Sequence, residues 1–139
     1  MVRAVSDPRA FVTDTHPLLL HAAGRRSLGR RAAAHFAACE RREAIIYVPA
    51  AVIWETSLLA RVGRIRLERA VRGFFEELFS NPAFQPFDLT AEQVLLADEA
   101  RPNQDPFDGL ICAAARSLGL PLISRDREIQ DWGRVVTSW

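Results

Sequence analysis

The chain has no lysine; all 18 basic residues among its 139 are arginine. Arginine suits bidentate contact with phosphate or carboxylate, although a biased composition would also produce it. Cysteine is scarce as well, with only Cys39 and Cys112. Two cysteines are too few for a disulfide framework, and neither lies in a CxxC or Cys/His spacing that holds zinc, so a reducing compartment is expected. Long apolar runs are missing too: the longest candidate, Ala44 to Trp54, falls short of the ~18 residues of a membrane span. The opening MVRAVSDPRA carries no hydrophobic targeting segment. A cytoplasmic protein with no membrane partner is expected.

What is present is an ordinary globular composition, 49% hydrophobic and 25% charged, of a length that fits one domain over residues 1–139 with a short extension at 1–8. At this size folding buries about 68% of the unfolded surface, so the core needs no metal staple and a bound metal would serve function. The net charge of +1 hides a polarised chain. Residues 1–72 carry 13 Arg and 6 acids, a net of +7, whereas residues 73–139 carry 5 Arg and 11 acids, a net of −6. The basic half is either a surface for an anionic partner or a set of solvated helix faces that pair with the acidic half after folding.

Short apolar segments alternate with helical ones, which implies an α/β fold. Strands are expected at Ala10 to Thr13, Ala44 to Val48, Phe84 to Leu89, Leu120 to Ser124 and near Val135 and Val136. The run Ala44 to Val48 is continuously apolar, as a buried parallel strand should be. Helices are expected at Thr15 to Ala23, Arg30 to Arg42, Ala50 to Val62, Leu67 to Ser80, Thr90 to Ala100 and Pro106 to Leu118, with a short one after Asp126. Gly24, Gly63 and Gly119 stop three of them.

Three acids stand where such a sheet binds ligands, outside the carboxyl ends of its strands: Asp14 follows the first strand, Asp126 follows Ser124-Arg125, and Asp108 opens a helix. Each also reads as ordinary capping. Asp14 and Asp126 fit as N-caps, and Asp105-Pro106-Phe107-Asp108 fits a cap, a proline at N1 and an acid at N3. Glu55 falls at the helical angle of Val52, Leu58, Leu59 and Val62, the apolar side. An inward carboxylate raises its pKa or requires a partner. Asp108 shares a face with Ile111, Cys112 and Ala115, so it too points inward or into a cleft. Converging carboxylates without His or Cys partners favour Mg²⁺ or Mn²⁺ over zinc. Such an ion lowers the pKa of bound water and neutralises phosphodiester charge, which points to hydrolysis of a nucleic-acid backbone. Cys39 and Cys112 read as core, His21 and His35 as packed or hydrogen-bonded, and His16 as a residue able to touch substrate.

Four blocks resemble the PIN-domain ribonucleases of the VapC toxin type: Phe11-Val12-Thr13-Asp14-Thr15-His16; Val52-Ile53-Trp54-Glu55 with Gly63-Arg64-Ile65; Asp105-Pro106-Phe107-Asp108-Gly109-Leu110-Ile111 with Ala113-Ala114; and Leu120-Pro121-Leu122-Ile123-Ser124-Arg125-Asp126. The resemblance runs over nearly the whole chain. It implies a three-layer α/β/α domain around a central parallel sheet of four to five strands. It also implies an endoribonuclease that uses one or two Mg²⁺ ions, with Mn²⁺ able to substitute. Asp14, Glu55, Asp108 and Asp126 would be the catalytic and metal residues, and Asp105 an accessory ligand or cap. Ser124, where the family more often has Thr, would support the ligands, and Thr15, His16 and Arg125 would support them or meet substrate. The expected partners are RNA, a cognate antitoxin that covers the site, and a second copy in a homodimer. Two other readings stay open. One is a phosphatase or phosphoryl-transfer enzyme using an Asp at a strand end, although a DxD pattern is missing because His16 occupies its second position. The other is a non-catalytic binding module.

Overall fold

The computed structural model describes residues 9–139; the expected extension at 1–8 lies outside the described residues. Five strands form one parallel sheet: β1 (Ala10–Thr13), β2 (Ile45–Pro49), β3 (Phe84–Phe87), β4 (Leu122–Ile123) and β5 (Thr137–Ser138), in the order β3-β2-β1-β4-β5. Among the described residues seven helices form: α1 (Thr15–Ala22), α2 (Arg30–Glu40), α3 (Ala50–Arg61), α4 (Val71–Phe79), α5 (Ala91–Glu99), α6 (Pro106–Leu118) and α7 (Arg127–Trp132). The chain steps outward from β1 to β3, then returns across the sheet to β4 and β5. Right-handed crossovers put the connections made before and after that reversal on opposite faces, which gives the three layers. The reversal leaves a crevice between β1 and β4, at the carboxyl ends of both strands.

Coverage on both faces explains why the central strands are apolar throughout. Phe11 and Val12 in β1 and Leu122 and Ile123 in β4 are all buried. Helices α2 and α3 pack on β2, α6 on β1 and α4 on β3. Phe36 of α2 is fully buried and stacks on His21 of α1, whose Nε2 meets Glu40 at 3.0 Å; His35 stacks on Phe11 and hydrogen-bonds Ser138. Both histidines are thus packing residues, as expected.

The element order and the helix Pro106–Leu118 match expectation, while several bounds do not. The fourth helix starts at Val71, four residues later than expected, so the segment after Gly63 runs as a connection. The strand expected over Leu120 to Ser124 contracts to Leu122–Ile123, because only that pair finds ladder partners on both sides. The last strand forms at Thr137–Ser138, not at Val135 and Val136, and Val136 is 72% exposed. Apolar character marked that segment, but pairing register with β4 decided which residues became strand.

Candidate active site

Asp14 leaves β1 and enters α1, and it is both things its position suggested. It N-caps α1, with Oδ1 accepting from the Thr15 amide at 2.8 Å, and it lies buried at the sheet crevice. Its second oxygen accepts from the Ser124 hydroxyl at 2.7 Å, across the crevice from the end of β4. Ser124 is fully buried, and its Oγ also accepts from the Asp126 amide at 3.1 Å. One hydroxyl therefore links the ends of the two strands that flank the crevice. Asp126 in turn caps α7, accepting from the Ile129 amide at 3.1 Å.

Glu55 comes from the second turn of α3. The fully buried Thr15 donates its hydroxyl to Glu55 Oε1 at 2.5 Å, tying α3 to the start of α1. Helix α3 is rotated relative to the phase read from sequence: Ala51, Val52, Thr56 and Ser57 face the core, whereas Val62 is 69% exposed. Its hydroxyls misled that phase, because Thr56 satisfies itself on the Val52 carbonyl at 2.8 Å and can be buried. Glu55 sits at the edge of the buried face, half-buried and still directed to the crevice through Thr15.

Asp108 stands in the first turn of α6, behind the cap Asp105, whose Oδ1 accepts from the Phe107 amide at 2.8 Å. Gly119 ends the helix in the left-handed region at φ 65°, where a side chain would be strained. Ile111, Cys112 and Ala115 share the face of Asp108 and are buried. Sequence reasoning missed Asn103, the neighbour of Asp108, and the second carboxylate that Asn103 meets, Glu128. Asn103 donates its amide to Asp108 Oδ2 at 2.9 Å and to Glu128 Oε1 at 3.4 Å, and its own Oδ1 accepts from the Asp105 amide at 2.8 Å. The Asn103-x-Asp105-Pro106 pattern was a legible Asx-turn signal; nothing in the sequence marked Glu128.

The electrostatics show that these acids share one neighbourhood. Burial raises the Asp14 pKa above the ordinary carboxylate value, with the nearby charge of Asp126 adding to it. Burial also raises that of Glu55, followed by Asp14 and Asp105. Asp108 is raised to about 7, by burial first and then by Asp14, Asp105 and Asp126. Burial pushes the Cys112 thiol up to about 12, with Asp14, Asp108 and Asp126 adding to the shift. Cys112 is a core residue behind the site, and Cys39, likewise buried and at about 12, packs elsewhere. Neither is a nucleophile at neutral pH.

His16 is exposed and lies near both Asp14 and Glu55. Arg125 turns away: its guanidinium lies over the Trp139 ring, 5.5 Å from the centroid. Among the described residues no site carboxylate has a cationic side chain within ion-pair distance, and no three His, Cys, Asp or Glu side chains stand close enough together to form a metal-holding group. The four acids instead each take a neutral or backbone donor. An all-oxygen donor set of mutually repelling carboxylates has the chemistry that suits a hard divalent cation.

An open parallel sheet whose strand order reverses between β1 and β4, with Asp14 and Ser124 meeting across that switch point, defines a doubly wound α/β domain. Within that class the chain belongs to the PIN domain family, whose model matches residues 11–135. No curated protein matches it by sequence. Its fold is similar to VapBC2 from Rickettsia felis bound to a DNA fragment from its promoter, with 12% identity, TM-score 0.67, and 93% of this chain and 97% of that chain covered. It is also similar to FitAcB from Neisseria gonorrhoeae (16% identity, TM-score 0.61, 91% and 95% covered). A third likeness is to VapC20 from Mycobacterium tuberculosis, described as a sarcin-ricin loop cleaving toxin (18% identity, TM-score 0.58, 89% and 95% covered).

Proposed function

We propose that this PIN domain is a metal-dependent endoribonuclease that hydrolyses RNA phosphodiester bonds and acts as the toxin of a toxin-antitoxin pair. The observation that carries the reading is that Asp14, Glu55, Asp108 and Asp126, from four separate chain segments, stand near enough for the charge of Asp14 to be coupled to each of the others, three of the four having raised pKa values. Asp14, Glu55, Asp108 and Asp126 would hold Mg²⁺, or Mn²⁺ in its place, with Asp105 as an accessory. Bound there, the ion supplies an activated water and neutralises phosphate charge. Ser124 and Thr15 hold the Asp14 and Glu55 carboxylates in place, and the exposed His16 would meet substrate. A phosphatase using Asp14 as nucleophile is less well supported, since that carboxylate is buried with both oxygens engaged.

The test is cleavage of a total small-RNA pool by purified protein with Mn²⁺, with EDTA, and with a folded Asp14→Asn variant. Cuts at a few positions that vanish in both controls support the reading. Absence of cleavage together with absence of Mn²⁺ binding would leave the acids as helix caps only.

The antitoxin would lie in a groove of about 650 Å³ that starts at His16 and runs between α1 and the segment joining α3 to α4. Leu19, Leu20, Ile65 and Phe74 line it, and beside them four arginines, Arg25, Arg64, Arg66 and Arg69, outnumber Glu68 and Glu77. An apolar floor with basic residues at its margin suits an amphipathic acidic peptide better than a nucleic-acid backbone. Leu20→Asp should then impair neutralisation and spare cleavage. The homodimer would cover exposed apolar side chains such as Trp54 on α3 and Val94 and Leu95 on α5, and the domain would act in the cytoplasm.

A further inference from the structure

We propose that Asn103 is a positioning residue for Asp108, fixing which of its carboxylate oxygens faces the crevice; this rests on the nuclease reading above. Asn103 lies outside every acidic block and belongs to the loop between α5 and α6. Its amide is oriented without ambiguity by its surroundings. Oδ1 must take the Asp105 N–H, because only an acceptor serves there, and the NH₂ group is thereby turned to the Asp108 and Glu128 carboxylates. One side chain so joins the first turn of α6 to the first turn of α7, the two helices that bring Asp108 and Asp126 to the site.

The choice of a neutral donor has a physical reason. Asp108 is half-buried and repelled by Asp14, Asp105 and Asp126, so an unheld carboxylate would turn toward solvent. An Arg or Lys at this place would hold it, but would also neutralise the charge that a cation site requires. The Asn amide satisfies Oδ2 alone, leaves the net charge intact and aims Oδ1 at the crevice. Partners of this kind, touching a ligand and not the ion, change metal affinity or activity about 10–100-fold when removed.

The experiment measures Mn²⁺ binding by loss of the free-ion electron paramagnetic resonance signal, alongside RNA cleavage and thermal unfolding. Asn103→Ala and Asn103→Ser are compared with the parent protein; serine keeps an acceptor for the turn at Asp105 but does not reach Asp108. Both variants should weaken Mn²⁺ binding about tenfold or more with melting temperatures near that of the parent, and excess Mn²⁺ should restore much of the cleavage. In an Asp108→Asn background, Asn103→Ala should add no further loss, because the residue it acts through is gone. Parent-like Mn²⁺ affinity in both Asn103 variants, or a loss that adds fully in the Asp108→Asn background, overturns the proposal. Failure of the nuclease reading itself looks different: Asp14→Asn would then leave Mn²⁺ binding unchanged.

Discussion

Ser124 and Asp108 show how much single groups decide. The Ser124 hydroxyl is fully buried, donates to Asp14 and accepts from the Asp126 amide. Ser124→Ala should lower cleavage about 10–100-fold, and Ser124→Thr, which keeps the hydroxyl, should retain more activity than Ser124→Ala; initial rates at saturating Mn²⁺ check both. Asp108 makes a pH prediction for the metal-free protein. Its pKa rises from an ordinary 3.8 to about 7 on folding, so the folded state holds its proton more tightly than the unfolded state does. The stability this supplies is full below about pH 4 and is lost as pH rises through about 7. Thermal unfolding in EDTA should therefore show a falling contribution between those limits, flattened in Asp108→Asn, which mimics the protonated acid. Asp14 and Glu55 are shifted in the same direction, so a residual slope should remain in that variant.

At the scale of elements, helix ends were more legible than strands. Capping is local chemistry: Asp105, Pro106 and Gly119 bound α6 at the residues where their types predict it, and Asp126 and Thr90 cap α7 and α5. Strand bounds depend on ladder partners far away in sequence, which is why β4 shrank and β5 shifted. The phase of α3 failed for a related reason, since Thr56 hides its polarity on its own helix while Val62 lies beyond the core's reach. Two glycines separate the kinds of constraint. At Gly119 a Cβ meets nothing within 4 Å but the residue sits at φ 65°, so Gly119→Ala should cost about 1 kcal/mol, read as a few degrees of melting temperature. At Gly29 a Cβ would come within 2.4 Å of the Trp139 backbone, at the very carbonyl that accepts from the Arg31 and Ala32 amides at the start of α2. Gly29→Ala should destabilise more than Gly119→Ala, by forcing that contact apart.

For the whole molecule, the polarised charge keeps two roles distinct. The basic half carries exposed Arg30 and Arg31 on α2, Arg61 at the end of α3, and Arg25, Arg26 and Arg64 in the connections after α1 and α3, while the acidic half supplies Asp105, Asp108 and Asp126 to the site. If RNA crosses this basic surface, Arg30→Glu with Arg31→Glu should weaken cleavage and flatten its dependence on salt, because fewer counterions are released. Unchanged cleavage with impaired neutralisation assigns the surface to the antitoxin instead.

The sequence by itself determined the α/β alternation, the capped helices and the four acids, because periodicity, caps and strand-end carboxylates are written in residues close along the chain. The resemblance then tied those acids to one site. Only the tertiary structure decided that Ser124 bridges Asp14 and Asp126, that Thr15 reaches Glu55, that Asn103 holds Asp108, and that Arg125 turns to Trp139. Most of these contacts join groups from different elements brought together by strand order and helix packing, and hydrogen-bond geometry at about 3 Å is set by that packing, not by spacing along the chain.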